Sequence, residues 1–278
     1  MKLNLTAMRW IILCLLVSFA PSCLFGQKTE ADIRARLLKK PLFLRGQWST
    51  DKVAFDAVGH LQGISGPTSF TLAGVDIASV KLTPMGLVLR GQRMGVEFKN
   101  DVAKRVRLWG VTIMIQSPTD GDFTTALDAI FTDSIATLDL PLPWCWQQYA
   151  HKHLLPAGTP AATGGGPLAA VHDGGMPSTV AAKNLRNSGK VSIPRITTQV
   201  EPEFSAAARA LQYSGTVLVN CVVGKDGIPT HINIVRATGL GLDELAVKAV
   251  SRYVFEPATE SGAPVEMELN VEVNFQTF

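Results

Sequence analysis

The chain has 278 residues, of which 46% are hydrophobic and 18% charged, with a formal net charge of +3. That length leaves room for two modest domains with real cores. A charge so near balance, with no run of Lys and Arg along one face, excludes a nucleic-acid footprint, and the four cysteines have no zinc-framework spacing.

Taken in chain order, the first element is a leader. Lys2 and Arg9 precede an apolar run from Trp10 to Ala20, which Pro21 breaks and Ser22-Cys23-Leu24-Phe25-Gly26-Gln27 follows. The run falls short of the ~20 residues that a spanning helix needs. Small residues suit cleavage after Ser22 or Gly26, so residues 1–26 are expected to be a signal peptide that delivers the mature chain, of net charge about +1, to the periplasm. The alternative is an uncleaved anchor in the inner membrane. Cys14 and Cys23 belong to this leader; Ala20-Pro21-Ser22 ahead of Cys23 is a poor lipoprotein signature.

Residues 27–155 form the next expected unit. Glu30 to Lys40 reads as a helix with Ile33, Leu37 and Leu38 as its apolar stripe. From Pro41 to Gln116 the pattern changes to short strands with Gly turns: 42–44, 53–55, 60–63, 70–72, 75–82, 86–92, 94–98 and 102–116. Such spacing predicts a mostly antiparallel sandwich or small barrel. Thr124 to Phe131 is the clearest helix. Pro141 to Trp146 reads as an extended segment.

His151-Lys152-His153 beside Trp144 and Trp146 is the most metal-like cluster, since two His at i, i+2 share a strand face. No third ligand lies nearby except His172-Asp173, and a surface or packing role is the reading adopted; no metal and no cofactor are expected. No Gly-x-Ser-x-Gly elbow, phosphate loop or HExxH occurs, and Asp133-Ser134 with the scattered histidines has no triad spacing. The chain therefore reads as non-enzymatic. Residues 156–190, rich in Gly, Pro and Ala, read as a flexible linker.

Residues 191–278 are expected to be a second, α+β domain. Ser205 can cap a short helix through Leu211. Thr216 to Val223 and Ile228 to Ala237 are strands joined by Lys225-Asp226-Gly227, which is hairpin-turn chemistry. Cys221 sits on an apolar strand face as a small hydrophobe, and no disulfide with Cys145 is expected. Asp243 to Tyr253 is helical, and Pro257 ends it. From Val265 to Phe275 apolar and polar residues then alternate without a fault, the mark of a strand with one face on a core and one in water. The order is helix, strand, strand, helix, strand.

These pieces carry a resemblance. Pro202-x-Phe204-x-x-x-Ala208-Arg209, Gly215-Thr216-Val217, Lys225-Asp226-Gly227, Ala237-Thr238-Gly239, Leu242-Asp243-x-x-Ala246, Phe255-x-Pro257-Ala258, Gly262-x-Pro264-Val265 and Val273-x-Phe275 together resemble the C-terminal domain of TonB-family proteins. The family's usual Tyr-Pro is Phe204-Ser205 here. The resemblance implies an antiparallel sheet whose last strand accepts an extended peptide of an outer-membrane transporter as an added strand. The implied partner-binding residues are Val265, Glu266, Met267, Glu268, Leu269, Asn270, Val271, Glu272 and Val273, with Phe204 and Arg209 near the start of the first helix. The same edge could pair with a second copy in a homodimer, and Glu266, Glu268 and Glu272 could equally serve to protect it. A TonB that couples to an inner-membrane motor carries a histidine in its anchor and a long Pro-rich, charged spacer. This leader has no His and that spacer is absent, which argues against motor coupling. Competing readings are a small-ligand or polymer carrier using the β-domain, and a hydrolase whose site is hidden there.

Overall fold

The computed structural model describes residues 29–46, 48, 50–64, 69–134, 143–154 and 191–277. The expected leader and the whole of the expected linker lie outside them. Helix α1 (Glu30–Leu37) begins at a capping box: Thr29 Oγ1 accepts from the Asp32 N–H, and the Asp32 carboxylate accepts from the Thr29 N–H. It stops earlier than expected because Leu38 is extended and Lys39 takes φ +59°. Ile33 and Leu37 face inward, fully buried.

Seven strands follow: β1 (Leu42–Leu44), β2 (Lys52–Phe55), β3 (Leu61–Gln62), β4 (Gly74–Thr83), β5 (Gly86–Lys99), β6 (Val102–Gln116) and β7 (Phe131–Thr132). They form one sheet in the order β3-β2-β6-β5-β4-β1-β7. The sheet is mostly antiparallel, as expected, with β2 alone running parallel to β6; it differs from the expected sandwich or small barrel in being a single sheet strongly curled into a half-barrel. A parallel pair needs a long crossover, and the chain from Phe55 to Val102 supplies it. The expected strands 86–92 and 94–98 are one strand; a bulge on β6, opposite Gln92–Met94, lets the long hairpin bend without breaking. Residues 70–72, expected as a strand, form a single 3-10 turn capped by Ser69, whose Oγ accepts from the Thr71 N–H. Helix α2 (Thr124–Ile130) and α1 pack with Leu44, Phe55, Leu89 and Ile113 of the sheet in one apolar core.

The expected extended segment at 141–146 is corrected from Trp144 onward. Trp144–His153 is helix α3, burying Cys145, Trp146, Tyr149 and Ala150 on one face. Helical spacing separates His151 from His153, so they do not share a strand face. His153 instead lies against the Tyr149 ring, 4.6 Å between centroids.

The C-terminal region runs β8 (Arg195–Thr198), α4 (Ala206–Ala210), β9 (Gly215–Val223), β10 (Pro229–Arg236), α5 (Leu242–Val250), β11 (Val254–Glu256), β12 (Ala258–Glu260), β13 (Ala263–Val265) and β14 (Met267–Phe275). Its main sheet has the order β10-β9-β14, antiparallel throughout. Ser205 caps α4 as expected, accepting from the Ala208 N–H at 3.0 Å. The long final strand is two strands. β13 pairs back on β12 across Ser261-Gly262, both at positive φ, and β14 starts afresh beyond Glu266 on β9. Helix α5 ends at Val250, three residues before the expected stop.

The second apolar core is shared. Val217, Val219, Ile234, Leu242 and Val250 of the C-terminal region pack with Phe70, Phe98, Trp146 and Tyr149 from the first part of the chain. Ring pairs Phe70–Trp146 and Phe98–Tyr149 meet edge to face at 4.6 and 5.4 Å. A sheet that offers one face to α1 and α2 and its overhanging end to α3 and the C-terminal region uses both of its apolar surfaces.

Candidate peptide-docking edge

The C-terminal sheet has two outer strands of opposite character. β14 pairs with β9 in unbroken register over nine residues, from Met267 with Val223 to Phe275 with Gly215. Its other edge pairs with no strand among the described residues. β10 is irregular. Its register on β9 shifts between Thr230 and Asn233, where His231 takes φ +49°, and again between Ile234 and Arg236. Helix α3 packs along it. Bulges and a covering helix are the usual means of blunting a sheet edge, and here they fall on β10 alone. β14 has no register shift, and its outer edge is open among the described residues.

The alternation read in the sequence sets the two faces of β14. Met267, Val271, Val273 and Phe275 are buried and Leu269 is half-buried, whereas Asn270, Glu272 and Asn274 are exposed and Glu268 is half-buried. Asn220 Nδ2 donates to Asn270 Oδ1 at 2.9 Å, and Thr216 Oγ1 donates to Asn274 Oδ1 at 2.7 Å. Arg236 donates to Glu272 at 3.3 Å. Of the expected site residues, Met267 to Val273 therefore lie together on one edge strand. Val265 belongs to β13, and Glu266 is the exposed junction between the two strands. Phe204 stands edge-on to Phe275, 5.3 Å between centroids, at the end of β14. Arg209 is exposed on α4 and makes no ion pair with β14 among the described residues.

A second constellation went unread in the sequence. It is the seam that joins the C-terminal sheet to the first part of the chain. Beyond the reach of β4, β5 has a bare edge, and the loop after β10 fills it: Leu240 N–H donates to Val96 O at 2.9 Å, and Phe98 N–H donates to Thr238 O at 3.0 Å. Gly239 makes this approach possible. Its φ is +87°, and a Cβ there would sit 2.1 Å from Val96 O. Asp243 fixes the loop from behind, its two oxygens accepting from the Thr238 and Gly239 N–H groups at 2.7 Å each. Gly241 N–H donates to Thr71 Oγ1 at 2.8 Å.

Glu244 completes the seam. Its Oε1 accepts from Ser69 Oγ and from Trp146 Nε1, both at 2.8 Å, while Oε2 is enclosed without a partner among the described residues. Glu244 as a residue is half-buried, yet the carboxyl itself is shut away from water. Burial pushes the Glu244 and Asp243 carboxyls above their ordinary values, for Asp243 against the pull of its amide donors. Only the family motif around Ala237-Thr238-Gly239 and Leu242-Asp243 marked this loop in the sequence.

No group of three metal-ligating side chains occurs among the described residues; His172 and Asp173 lie outside them. Ser134 sits in the turn after β7, its N–H directed at Thr132 Oγ1. Cys145 and Cys221 are buried free thiols, and burial pushes the Cys221 thiol up to about 12. A hollow of about 490 Å³ opens between Leu38–Pro41 and Asp76–Ala78 and is flanked by Lys39, Lys40 and Arg105. No helix of the described residues is long and apolar enough to cross a membrane.

Comparison with known proteins bears on the region that holds the open edge. Residues 200–277 match the family model of the Gram-negative bacterial TonB protein C-terminal. Over 76 residues the chain is 34% identical to Protein tonB2 of Pseudomonas aeruginosa, which is 27% of this chain and 28% of that protein; the chain thus spans under a third of the length of this curated relative. The solution structure of a Pseudomonas aeruginosa TonB C-terminal domain is 17% identical, with 34% of this chain and 94% of that domain covered at a TM-score of 0.24. The family match identifies nothing ahead of residue 200. Residues 200–277 are a TonB C-terminal domain.

Proposed function

We propose that this chain acts in the cell envelope as a TonB-type binding protein, and that β14 accepts an extended peptide of an outer-membrane transporter as a fourth strand. TonB C-terminal domains bind the TonB box of such transporters. One observation carries the reading to this edge: β14 is in unbroken register and open among the described residues, whereas β10 is twice bulged and covered by α3. Strand addition draws its affinity from main-chain hydrogen bonds and its selectivity from alternate side chains. The periplasm remains the place where such a peptide and this edge would meet. Phe204, packed on Phe275, bounds the far end of the docking edge.

The first part of the chain has a part in this reading. By filling the β5 overhang with the 238–240 loop and laying α3 along β10, it closes the other side of the C-terminal sheet and leaves β14 as the edge that faces outward.

The test is a cysteine walk on the full chain. Asn270→Cys is introduced with Cys14 and Cys23 changed to Ser; the buried native thiols do not compete. A single Cys is moved along a synthetic TonB-box peptide. Neighbouring strands bring facing Cα atoms within the 4.4–6.8 Å that a disulfide tolerates. One peptide position should dominate the cross-linking, with its immediate neighbours silent. Even cross-linking at all positions, or none, refutes addition at β14.

A further inference from the structure

Resting on the strand-addition reading, we propose that the peptide taken by β14 carries cationic side chains four residues apart, facing Glu268 and Glu272. The rows across the sheet carry this. On the solvent face, Glu268 stands next to Val222 of β9 and, beyond it, Thr230 of β10. Asn270 is followed by Asn220 and Asn233, and Glu272 by Leu218 and Arg236. Each β14 side chain thus has a neighbour on its inner side, and only an added strand can supply one on its outer side.

The two asparagines are already spoken for. Asn270 accepts from Asn220, and Asn274 accepts from Thr216. The glutamates differ. Glu272 leans inward to Arg236, two strands away. Glu268 has no cation in its row and no ion pair among the described residues. Glu266, exposed at the head of the strand, adds a third charge of the same sign. Directly opposed residues on adjacent strands lie about 4.5–5.5 Å apart at Cβ, opposite charges there are favourable and like charges are not. An acidic peptide would meet two such clashes, and a basic one would relieve them. The spacing of four follows from Glu268 and Glu272 alone, and it holds whether the added strand runs parallel or antiparallel.

Arg236 makes the two sites unequal. The cation facing Glu268 has no rival, so it contributes more than the one facing Glu272, which competes with Arg236. Arg236→Gln should even them out.

The experiment titrates the full chain with a synthetic TonB-box peptide in which all charged residues are replaced by Ser or Thr, and with derivatives of it. A Lys pair at i, i+4 is walked along this neutral parent; i, i+3 pairs, which put one Lys on the core side, are the control, and Glu pairs at i, i+4 are the reverse case. At the best register the i, i+4 Lys peptide should bind about three- to tenfold tighter than the parent. The gain should fade in ~0.5 M salt, and Glu268→Lys with Glu272→Lys should transfer it to the Glu-pair peptide. If the parent binds but no Lys register gains, or the gain survives charge reversal, the charge register is wrong and strand addition stands. If neither the parent nor any derivative binds, strand addition itself falls.

Discussion

Gly239→Ala loads the seam at its tightest point, and its cost can be built from two separate effects. Gly239 sits at φ +87°, where an L side chain costs about 1–2 kcal/mol. In addition, the new Cβ would lie 2.1 Å from Val96 O and 2.9 Å from the Glu97 Cα. Both are backbone atoms in the middle of a paired strand and cannot swing aside. The loop must lift, and the two main-chain bonds Leu240 N–H to Val96 O and Phe98 N–H to Thr238 O go with it. At about 0.5–1.5 kcal/mol each, these bring the total loss to about 2–5 kcal/mol. Gly262→Ala is the matched control. Its φ of +85° imposes the same backbone penalty, but nothing lies within 4 Å of its Cβ, so it should lose only about 1–2 kcal/mol. For a chain of this size the expected fall in Tm is roughly 5–15 °C for Gly239→Ala and roughly 2–6 °C for Gly262→Ala. The assay is thermal and urea unfolding of the full chain, followed by Trp fluorescence and by far-UV circular dichroism. Equal losses for the two variants would refute the close approach, and with it the claim that the 238–240 loop completes the edge of β5.

Two further predictions concern Glu244. Its carboxyl is raised above an ordinary 4.5 by burial, so the folded state binds a proton that the unfolded state has already released. The contribution is therefore fully present below pH 4.5 and is lost as pH rises through the folded value. Among the described residues no cation is bonded to this carboxyl: Ser69 and Trp146 donate to it, and Asp243 and the Cys145 thiol are the titratable groups that feel its charge. Glu244→Gln should accordingly flatten the fall in stability as pH rises above the ordinary carboxylate range, read as the difference between variant and parent in urea titrations; an unchanged slope would mean the carboxyl is ionised in the folded chain. Trp146→Phe keeps most of the ring packing on Phe70 and Tyr149 but removes the Nε1–H donor, and should cost about 1–3 kcal/mol in the same unfolding assay. A loss below about 0.5 kcal/mol would show that the Trp146–Glu244 bond adds little.

The C-terminal region was largely legible because its signals are local. The alternation from Met267 to Phe275 is a strand with one wet face, Asp226-Gly227 closes a hairpin with Gly227 at φ +79°, and Ser205 caps its helix. The break at Glu266 was not legible, since the alternation runs through Val265 without a fault and only the change of partner, from β12 to β9, ends one strand and starts the next. Helix α3 was hidden by the prolines ahead of it, although Cys145, Trp146, Tyr149 and Ala150 have helical spacing. The parallel β2–β6 pair leaves no local mark at all, because it joins residues about sixty apart. Glu244 reads in the sequence as an acid in the first turn of a helix, where it would suit the dipole and solvent. Its partners Ser69 and Trp146 come from 175 and 98 residues away, and only the fold brings them to it. The strand proposed as the docking edge was thus legible from Met267 onward, while what distinguishes it from the other outer strand, the bulges and cover on β10, lies in contacts that no local pattern reports.

The central claim is that β14 is a strand-accepting edge, and an N-methyl scan of the bound peptide tests it most directly. Methylating a backbone nitrogen removes one donor and adds bulk on one side of the strand. In an added strand, successive N–H groups point alternately toward β14 and away from it. Titration of the full chain with a TonB-box peptide methylated at each nitrogen in turn should therefore give losses of period two, with alternate positions weakened about tenfold or more and those between them nearly silent. A flat profile, or losses confined to one or two side-chain positions, would mean that the peptide is held in some other way and that β14 only closes a core.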